Sequence, residues 1–529
     1  MPRRASSTTL RKDRLDLEGR LRNTRVSAIV RQPNATGAWP RLQLVPAFRR
    51  FVVYPLALAM PLRRMHRIRR RMPTPTQGTS TMKTIRSVTT ALLLALSLAG
   101  GARAQAAPEA SAATTAGLAA SAPVSKFHIR PVDDAWRASL PRNADAATQA
   151  YLDRLPADTV ARSNAYFEGG YWLQLWNFVL GLAISWLLLR RQISARVRDI
   201  CLRVGRFGVV RDALYGVFFS LASWVLSLPL TIYQGFFREH QYGMATQTFV
   251  PWFVDQLVML GAQTAAFALA LAVLYAVIRR TGERWWIWGT VATMAMLVFA
   301  VMIGPVWIDP LTNTYKPVSD PVVKAAVLQM AHADDVPVDN VYEFDASRQT
   351  TRVSANVSGI LGTASVRLND NLLRTSLPEI RAVMGHELGH YVMNHIYKGL
   401  CEMALLILVG FTFAKWALDA MLRRYGGAWG LQGAGDVASF PLFIAVFSVY
   451  MFVTTPIGNT LVRTQEIEAD RFGLNLAREP HGEAEVDLKL TEYRKPDPGP
   501  IEEFVFFDHP STRHRIHDAM QWREAMGTP

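Results

Sequence analysis

Arg381-Ala382-Val383-Met384-Gly385-His386-Glu387-Leu388-Gly389-His390 places H-E-x-x-H on a helix-compatible run. Positions i and i+4 of a helix share a face, so the imidazoles of His386 and His390 can converge on one Zn2+ at about 2.0 to 2.1 Å each. Glu387 sits one step round the helix. From there its carboxylate can take a proton from a water attacking a peptide carbonyl and return it to the leaving amine, without binding the ion. Two histidines do not complete such a centre, since a catalytic zinc keeps three protein ligands and one open position. Cys201 and Cys401 are far apart and lack C-x-x-C spacing, so neither a thiolate site nor a disulfide framework is indicated. The third ligand must come from His, Asp or Glu.

A candidate lies downstream. The run Arg463-Thr464-Gln465-Glu466-Ile467-Glu468-Ala469-Asp470-Arg471-Phe472-Gly473 is helical in character, and Glu466 and Asp470 fall on one face. Glu466 can ligate zinc while Asp470 accepts the second ring N–H of a histidine ligand and so fixes its tautomer. A solvated acidic patch at a helix start explains the same two carboxylates, and on these residues alone both readings stand.

Half of the 529 residues are apolar. Six apolar segments, approximately Tyr171 to Leu189, Ala213 to Phe237, Gln256 to Ile278, Trp285 to Val306, Leu400 to Leu422 and Val437 to Leu461, are each long enough to cross a hydrocarbon core of roughly 30 Å. Arginines crowd the connection after the first segment (Arg190 to Arg211), that after the third (Arg279, Arg280, Arg284) and that after the fifth (Arg423, Arg424), which places all three inside. Arg238 to Asp255, Trp307 to Lys398 and the tail from Leu461 then share the opposite face. Because two spans separate H-E-x-x-H from the tail, both emerge on one side, as a shared metal site requires. Glu402, Lys415 and Asp419 inside the spans point to a protein interior or a hydrated lumen, with ordinary packing near the membrane boundary the alternative for Asp419.

The net charge of +16 would ordinarily suggest nucleic acid or anionic lipid. Its distribution removes that suggestion. Residues 1–81 hold 18 Lys and Arg against 3 Asp and Glu, a net +15, and everything from Met82 onward carries +1. Met82-Lys83-Thr84-Ile85-Arg86, the apolar Val88 to Ala99 and the A-x-A of Ala102-Arg103-Ala104 read as a signal peptide over 82–104. Residues 1–81 then read as a basic leader, either disordered or added by a start codon assigned too far upstream. A basic cytoplasmic tail before a signal anchor is the competing reading. The expected division continues with a linker and extracytoplasmic segment over 105–170, helical near Asp145 to Leu155, and a four-span membrane domain over 171–306. A zinc peptidase domain follows over 307–529, interrupted by spans at 400–422 and 437–461.

Taken together, these residues resemble the type I CAAX prenyl endopeptidases and their HtpX relatives, integral-membrane zinc peptidases of gluzincin type. The likeness rests on H-E-L-G-H at His386 to His390 and E-x-x-A-D at Glu466 to Asp470. It extends to Glu239-His240-x-Tyr242-Gly243 with Gln247-Thr248 and Asp255, to Ile308-x-Pro310-Leu311, and to Asp508-His509-Pro510 with Arg515. The resemblance implies Glu466 as third ligand, Asp470 as the group that orients a ligand, and His509 and Arg515 as donors to an oxyanion or to the substrate backbone. The expected fold is mainly α, a polytopic membrane helix bundle of about six spans with a gluzincin-like α+β metallopeptidase domain carrying a small β-sheet.

The chain also departs from the family. Ser354-Ala355-Asn356-Val357-Ser358-Gly359 stands where N-A-Y commonly precedes a glycine, and Val462 replaces a frequent Ser. The stretch from Thr351 to Leu368 is still β-rich, which suits an edge strand that pairs with an extended peptide, with Ser354, Ala355, Asn356 and Val357 as the substrate strand. Eukaryotic members have seven spans and a cytosolic site, and six spans turn the site to the other face.

The expectation is therefore an integral-membrane zinc metalloendopeptidase with one Zn2+ per chain and Glu387 as general base. It would act on membrane-associated or misfolded polypeptides from the extracytoplasmic face of a bacterial inner membrane. Its partners are a peptide or protein substrate and the lipid bilayer, with no nucleic acid. CAAX-box processing of prenylated proteins is the alternative. A non-catalytic scaffold or chaperone with structural zinc is the alternative of another class, against which Glu387 argues, since a structural site has no need of a base. Mass spectrometry of the native protein is expected to find no peptide from residues 1–81, and recovery of one contradicts the start at Met82.

Overall fold

Four long helices come first in the computed structural model, α1 (Ala157–Arg190), α2 (Gly208–Ile232), α3 (Phe249–Thr281) and α4 (Trp285–Ile303). After a small sheet come α5 (Leu377–Val392), which carries H-E-x-x-H, and two more long helices, α6 (His395–Trp429) and α7 (Phe440–Ala477). α8 (Pro480–Leu490) and α9 (Thr512–Met526) close the chain. The structure describes residue 129, residues 132–359 and residues 364–527. The basic leader and the signal peptide expected over 82–104 lie outside the described residues.

Five continuous helical segments are long and apolar enough to cross a membrane. The third, Phe249–Leu311, holds both α3 and α4. Its 63 residues would reach about 95 Å as one rod, but Gly282 takes a positive φ of 52° at the start of a tight turn and the two helices fold back against each other. The six expected spans are thus six helices in five segments. Their outward faces are apolar, with Trp416 68% and Val453 71% exposed, which suits lipid rather than water. Inward, Tyr215, Leu271, Tyr275, Phe411, Leu418 and Phe443 form one packed core.

The Arg-bearing connections meet at one end of this bundle. Arg198 donates to the Gly430 carbonyl at 3.0 Å and pairs with Asp436, and Arg279 pairs with Asp212. This end lies at the C-terminus of α6, whose 35 residues carry the chain about 52 Å from His395.

α7 differs from expectation. The sequence suggested a span ending near Leu461 and a separate helical run from Arg463, yet Phe440–Ala477 is one helix of 38 residues. At about 57 Å it is nearly twice the hydrocarbon thickness. Nothing between Leu461 and Arg463 breaks it, so Glu466 and Asp470 ride on a rod anchored in the membrane.

The sheet has the order β1 (Tyr315–Pro317), β2 (Val341–Phe344), β4 (Ser365–Asn369) and β3 (Ala355–Ser358). β2 and β4 are parallel, while β3 pairs antiparallel with β4 in the register Val357 to Val366 and has no strand on its other edge among the described residues. The strand starts at Ala355, one residue after the expected Ser354. Val341, Val366, Leu368, Met384 and Leu388 pack the sheet onto α5.

α5 and α7 approach almost to backbone contact. A Cβ added at Gly473 would lie 2.7 Å from the His386 backbone nitrogen, and one at Gly385 would lie 3.0 Å from the Gly473 carbonyl oxygen. One turn on, a Cβ at Gly389 would lie 3.2 Å from the Ala469 Cα. Backbone cannot yield as a side-chain tip can, so Gly473→Ala is expected to destabilise the fold by about 1 to 3 kcal/mol. Thermal unfolding of the metal-free protein in detergent checks this, with a lowered midpoint expected.

Candidate metal centre

α5 presents His386 and His390 toward α7, and the crossing brings Glu466 between them. His386 Nε2 lies 3.0 Å from His390 Nε2 and 3.3 Å from Glu466 Oε2, and His390 Nε2 lies 3.4 Å from Glu466 Oε1. Donor atoms of all three residues lie within 4.8 Å of one another, which makes them the one such group among the described residues. The far side of His386 is fixed as the sequence suggested, with Nδ1 2.7 Å from Asp470 Oδ1.

A carboxylate only accepts hydrogen bonds, so His386 donates through Nδ1 and its Nε2 is left with a bare lone pair in the neutral ring. That lone pair points at another ring nitrogen and a carboxylate. Either a proton on that nitrogen or a bound cation satisfies such a pocket. Burial opposes a charge on His386, but hydrogen bonds to Asp470 and Glu466 outweigh it and raise its pKa to about 10. Two imidazoles and a carboxylate with an open side fit a divalent ion of zinc type.

Glu387 faces the same space without entering the ligand group, and burial pushes its carboxyl up from the usual range. A cavity of about 310 Å³ lies over these atoms, lined by His386, Glu387, His390, Glu466, His509 and Arg515 and, from the strand side, by Val353, Ser354 and Ala355. The strand residues expected to meet substrate therefore divide. Ser354 and Ala355 line the cavity, while Asn356 and Val357 continue the edge strand beyond it.

His509 and Arg515 take different positions. Arg515 is buried, with Nη2 3.0 Å from Glu466 Oε2 and Nε 3.2 Å from Asp470 Oδ2. It braces these two carboxylates of α7. His509 is 32% exposed, with Nε2 3.3 Å from Glu466 Oε2. The cavity also recruits Glu483, Tyr493 and Arg494, which the sequence reading missed. Glu483 is pushed up to about 7 by burial and by the charge of Asp470. No motif spacing marks these residues; the one hint is acidic Glu483, Glu485 and Asp487 crowded into a short helix whose residues are mostly buried.

The segment around Glu239 bridges the membrane helices to this site. Glu239 Oε2 lies 2.7 Å from Arg352 Nη2, and Tyr166 donates to Glu239 Oε1 at 2.7 Å. The Thr351 amide and the Thr350 hydroxyl both donate to the Met244 carbonyl, at 3.1 and 2.9 Å. Gln247 and Gln349 both donate to Asp255 Oδ2, at 2.7 and 3.1 Å. The approach to β3 is thus held by the loop between α2 and α3. In the spans, Glu402 accepts from Gln465 at 2.7 Å, and Lys415 pairs with Asp419 and Glu283 at 2.8 and 2.7 Å.

Comparison with known proteins gives the same picture. Residues 317–523 match the family model for peptidase family M48, and residues 139–314 match one described as CAAX prenyl protease N-terminal, five membrane helices. Within 139–314 the described residues contain four long apolar helices, α1 to α4. The chain is 31% identical over 349 residues to an uncharacterized metalloprotease, YhfN, of Bacillus subtilis, covering 65% of this chain and 82% of that one. It is 23% identical over 396 residues to CAAX prenyl protease 1 of Saccharomyces cerevisiae, covering 69% and 86%. The crystal structure of S. mikatae Ste24p superposes with a TM-score of 0.59 at 20% identity, over 70% of this chain and 90% of that one, which establishes a shared fold.

Removing Arg515 would strand Glu466 and Asp470 as buried charges. Arg515→Met is expected to cost about 3 to 5 kcal/mol of stability in the metal-free protein, read as a fall in the midpoint of thermal unfolding. An unchanged midpoint would show that the brace contributes nothing.

Proposed function

The chain belongs to peptidase family M48 and is an integral-membrane metalloendopeptidase, and on that premise we propose that His386, His390 and Glu466 hold one zinc ion and that Glu387 is the general base. The observation that carries this reading is the convergence of two ring nitrogens and a carboxylate within ligand distance of one another, with an open side toward the cavity. Zinc bound there supplies a Lewis acid that polarises the scissile carbonyl and acidifies the attacking water.

Glu387 takes the proton from that water and passes it to the leaving amine, a shuttle helped by a carboxyl pKa raised by burial. His509, open to the cavity, donates to the oxyanion. Arg515 keeps Glu466 and Asp470 in place, and Asp470 holds the His386 tautomer. The substrate chain adds to the edge of β3 away from β4 along Ser354 to Val357 through main-chain hydrogen bonds, which tolerates the absence of N-A-Y. In this reading 171–306 is the membrane domain and 307–529 the peptidase, whose third ligand comes from an extended membrane helix.

The gathering of Arg198 and Arg279 at the end of the bundle remote from His395 supports a cytoplasmic location for that end. The site then opens on the extracytoplasmic face of a bacterial-type inner membrane, toward membrane-associated or misfolded polypeptides. The likeness over 86% of a CAAX prenyl protease favours a second reading, cleavage of prenylated chains. Side-by-side cleavage of prenylated and unprenylated peptides separates the two.

Glu387→Gln is expected to lower proteolysis by the purified protein by about 10²- to 10⁴-fold with zinc content unchanged, and equal activity in both proteins ends the peptidase mechanism. Glu466→Gln is expected to weaken zinc binding, and unchanged affinity would remove Glu466 from the ligand set. A cysteine placed at Arg196 is expected to resist impermeant labelling from outside, and labelling there would reverse the orientation.

A further inference from the structure

His390 is oriented differently from its partner His386. α5 ends at Val392, and Asn394 takes a left-handed φ of 59° before α6 begins at His395. Asn tolerates that conformation better than most residues. The reversal lays the His395 ring beside His390, with centroids 5.0 Å apart at an interplanar angle of 70°. The two Nδ1 atoms lie 2.8 Å apart. His395 is 4% exposed, and its Nε2 lies 3.1 Å from Glu468 Oε2, which also accepts from Lys398 Nζ at 2.8 Å.

The protons along this chain can be placed in order. His390 Nε2 faces His386 Nε2 and Glu466, so as a ligand atom it must be bare, and the neutral ring then carries its proton on Nδ1. That proton points at His395 Nδ1, which must be bare to accept it. The His395 proton therefore sits on Nε2, where the Glu468 carboxylate accepts it and Lys398 balances the charge. Asp470 does the corresponding work for His386 in one step.

We propose that His395 and Glu468 are positioning residues that fix the tautomer and ring orientation of His390 for metal binding through the two-step chain His390, His395, Glu468. The proposal rests on the reading of His390 as a ligand. It assigns work to Asn394 and His395, which follow H-E-x-x-H directly, and to Glu468, which lies inside the third-ligand run without facing the metal.

The test uses the full-length protein in detergent, stripped of metal and titrated with Zn2+ and with Co2+, whose visible absorption reports ligand geometry. His395→Phe keeps a ring but removes the acceptor, and is expected to weaken Zn2+ binding by about 10- to 100-fold and to alter the Co2+ spectrum. His395→Asn, whose side-chain oxygen can accept the His390 proton, is expected to recover most of the affinity. A merely structural role would lower stability without that rescue. Glu468→Leu, at a side chain 37% exposed, is expected to weaken binding in the same direction, and decides the matter should His395→Phe fail to fold. His390→Ala is the control. If it binds zinc as wild type does, the ligand reading itself fails. If it loses zinc while folded His395→Phe, or Glu468→Leu in its place, retains wild-type affinity, the positioning chain alone is overturned.

Discussion

The backbone-close crossing of α5 and α7 is the constraint on which the site depends. The three proposed ligands come from positions up to 80 residues apart along the chain and on two helices, and only glycine at 385 and 473 lets those helices approach until Glu466 reaches both imidazoles. A single added methyl group at position 473 meets the His386 backbone before it meets anything that can move. The same approach sets the distance from Asp470 to His386, so ligation and ligand orientation share one cause. Because α7 continues unbroken from the membrane, the site is referenced to the bilayer as firmly as to the peptidase domain.

Electrostatics complete what packing begins. Glu466, Asp470, Glu483 and Asp487 are all buried around the guanidinium of Arg515, and burial pushes the carboxyls of Glu483 and Asp487 up, while at Asp470 burial is outweighed by Arg515 and His386, which hold its carboxyl down. Leaving the ionised carboxylates unpaired would be costly, and Arg515 offsets that cost. The burial that raises the Glu387 carboxyl also sharpens this demand, since field effects strengthen as water is excluded. Arg515 thus holds Glu466 and Asp470 together on the face of α7 that meets His386.

Much of this was legible in the sequence, and the limits have physical reasons. H-E-x-x-H, the six apolar helices and the pairing of Glu466 with Asp470 could be read because helical periodicity and bilayer thickness act over short stretches. The glycine of H-E-L-G-H and the alanine of E-x-x-A-D were visible as letters, but their purpose was not: Gly389 and Ala469 face each other across the helix crossing. The continuity of α7 was hidden because a change from apolar to polar composition looks like the end of an element, when it marks only the end of the lipid. Arg515, read as a donor to substrate, proved to lie against Glu466 and Asp470, a matter of tertiary distance that spacing does not encode. Glu483, Tyr493 and Arg494 reach the cavity from α8 and the turn after it, for which no local pattern exists.

X-ray absorption at the zinc edge of the purified protein tests the central claim most directly. The account predicts one zinc per chain, bound by two imidazole nitrogens and by carboxylate and solvent oxygens at about 2.0 to 2.2 Å, with no sulfur. A protein that binds no zinc when folded, or a coordination shell with fewer than two imidazoles, would contradict it.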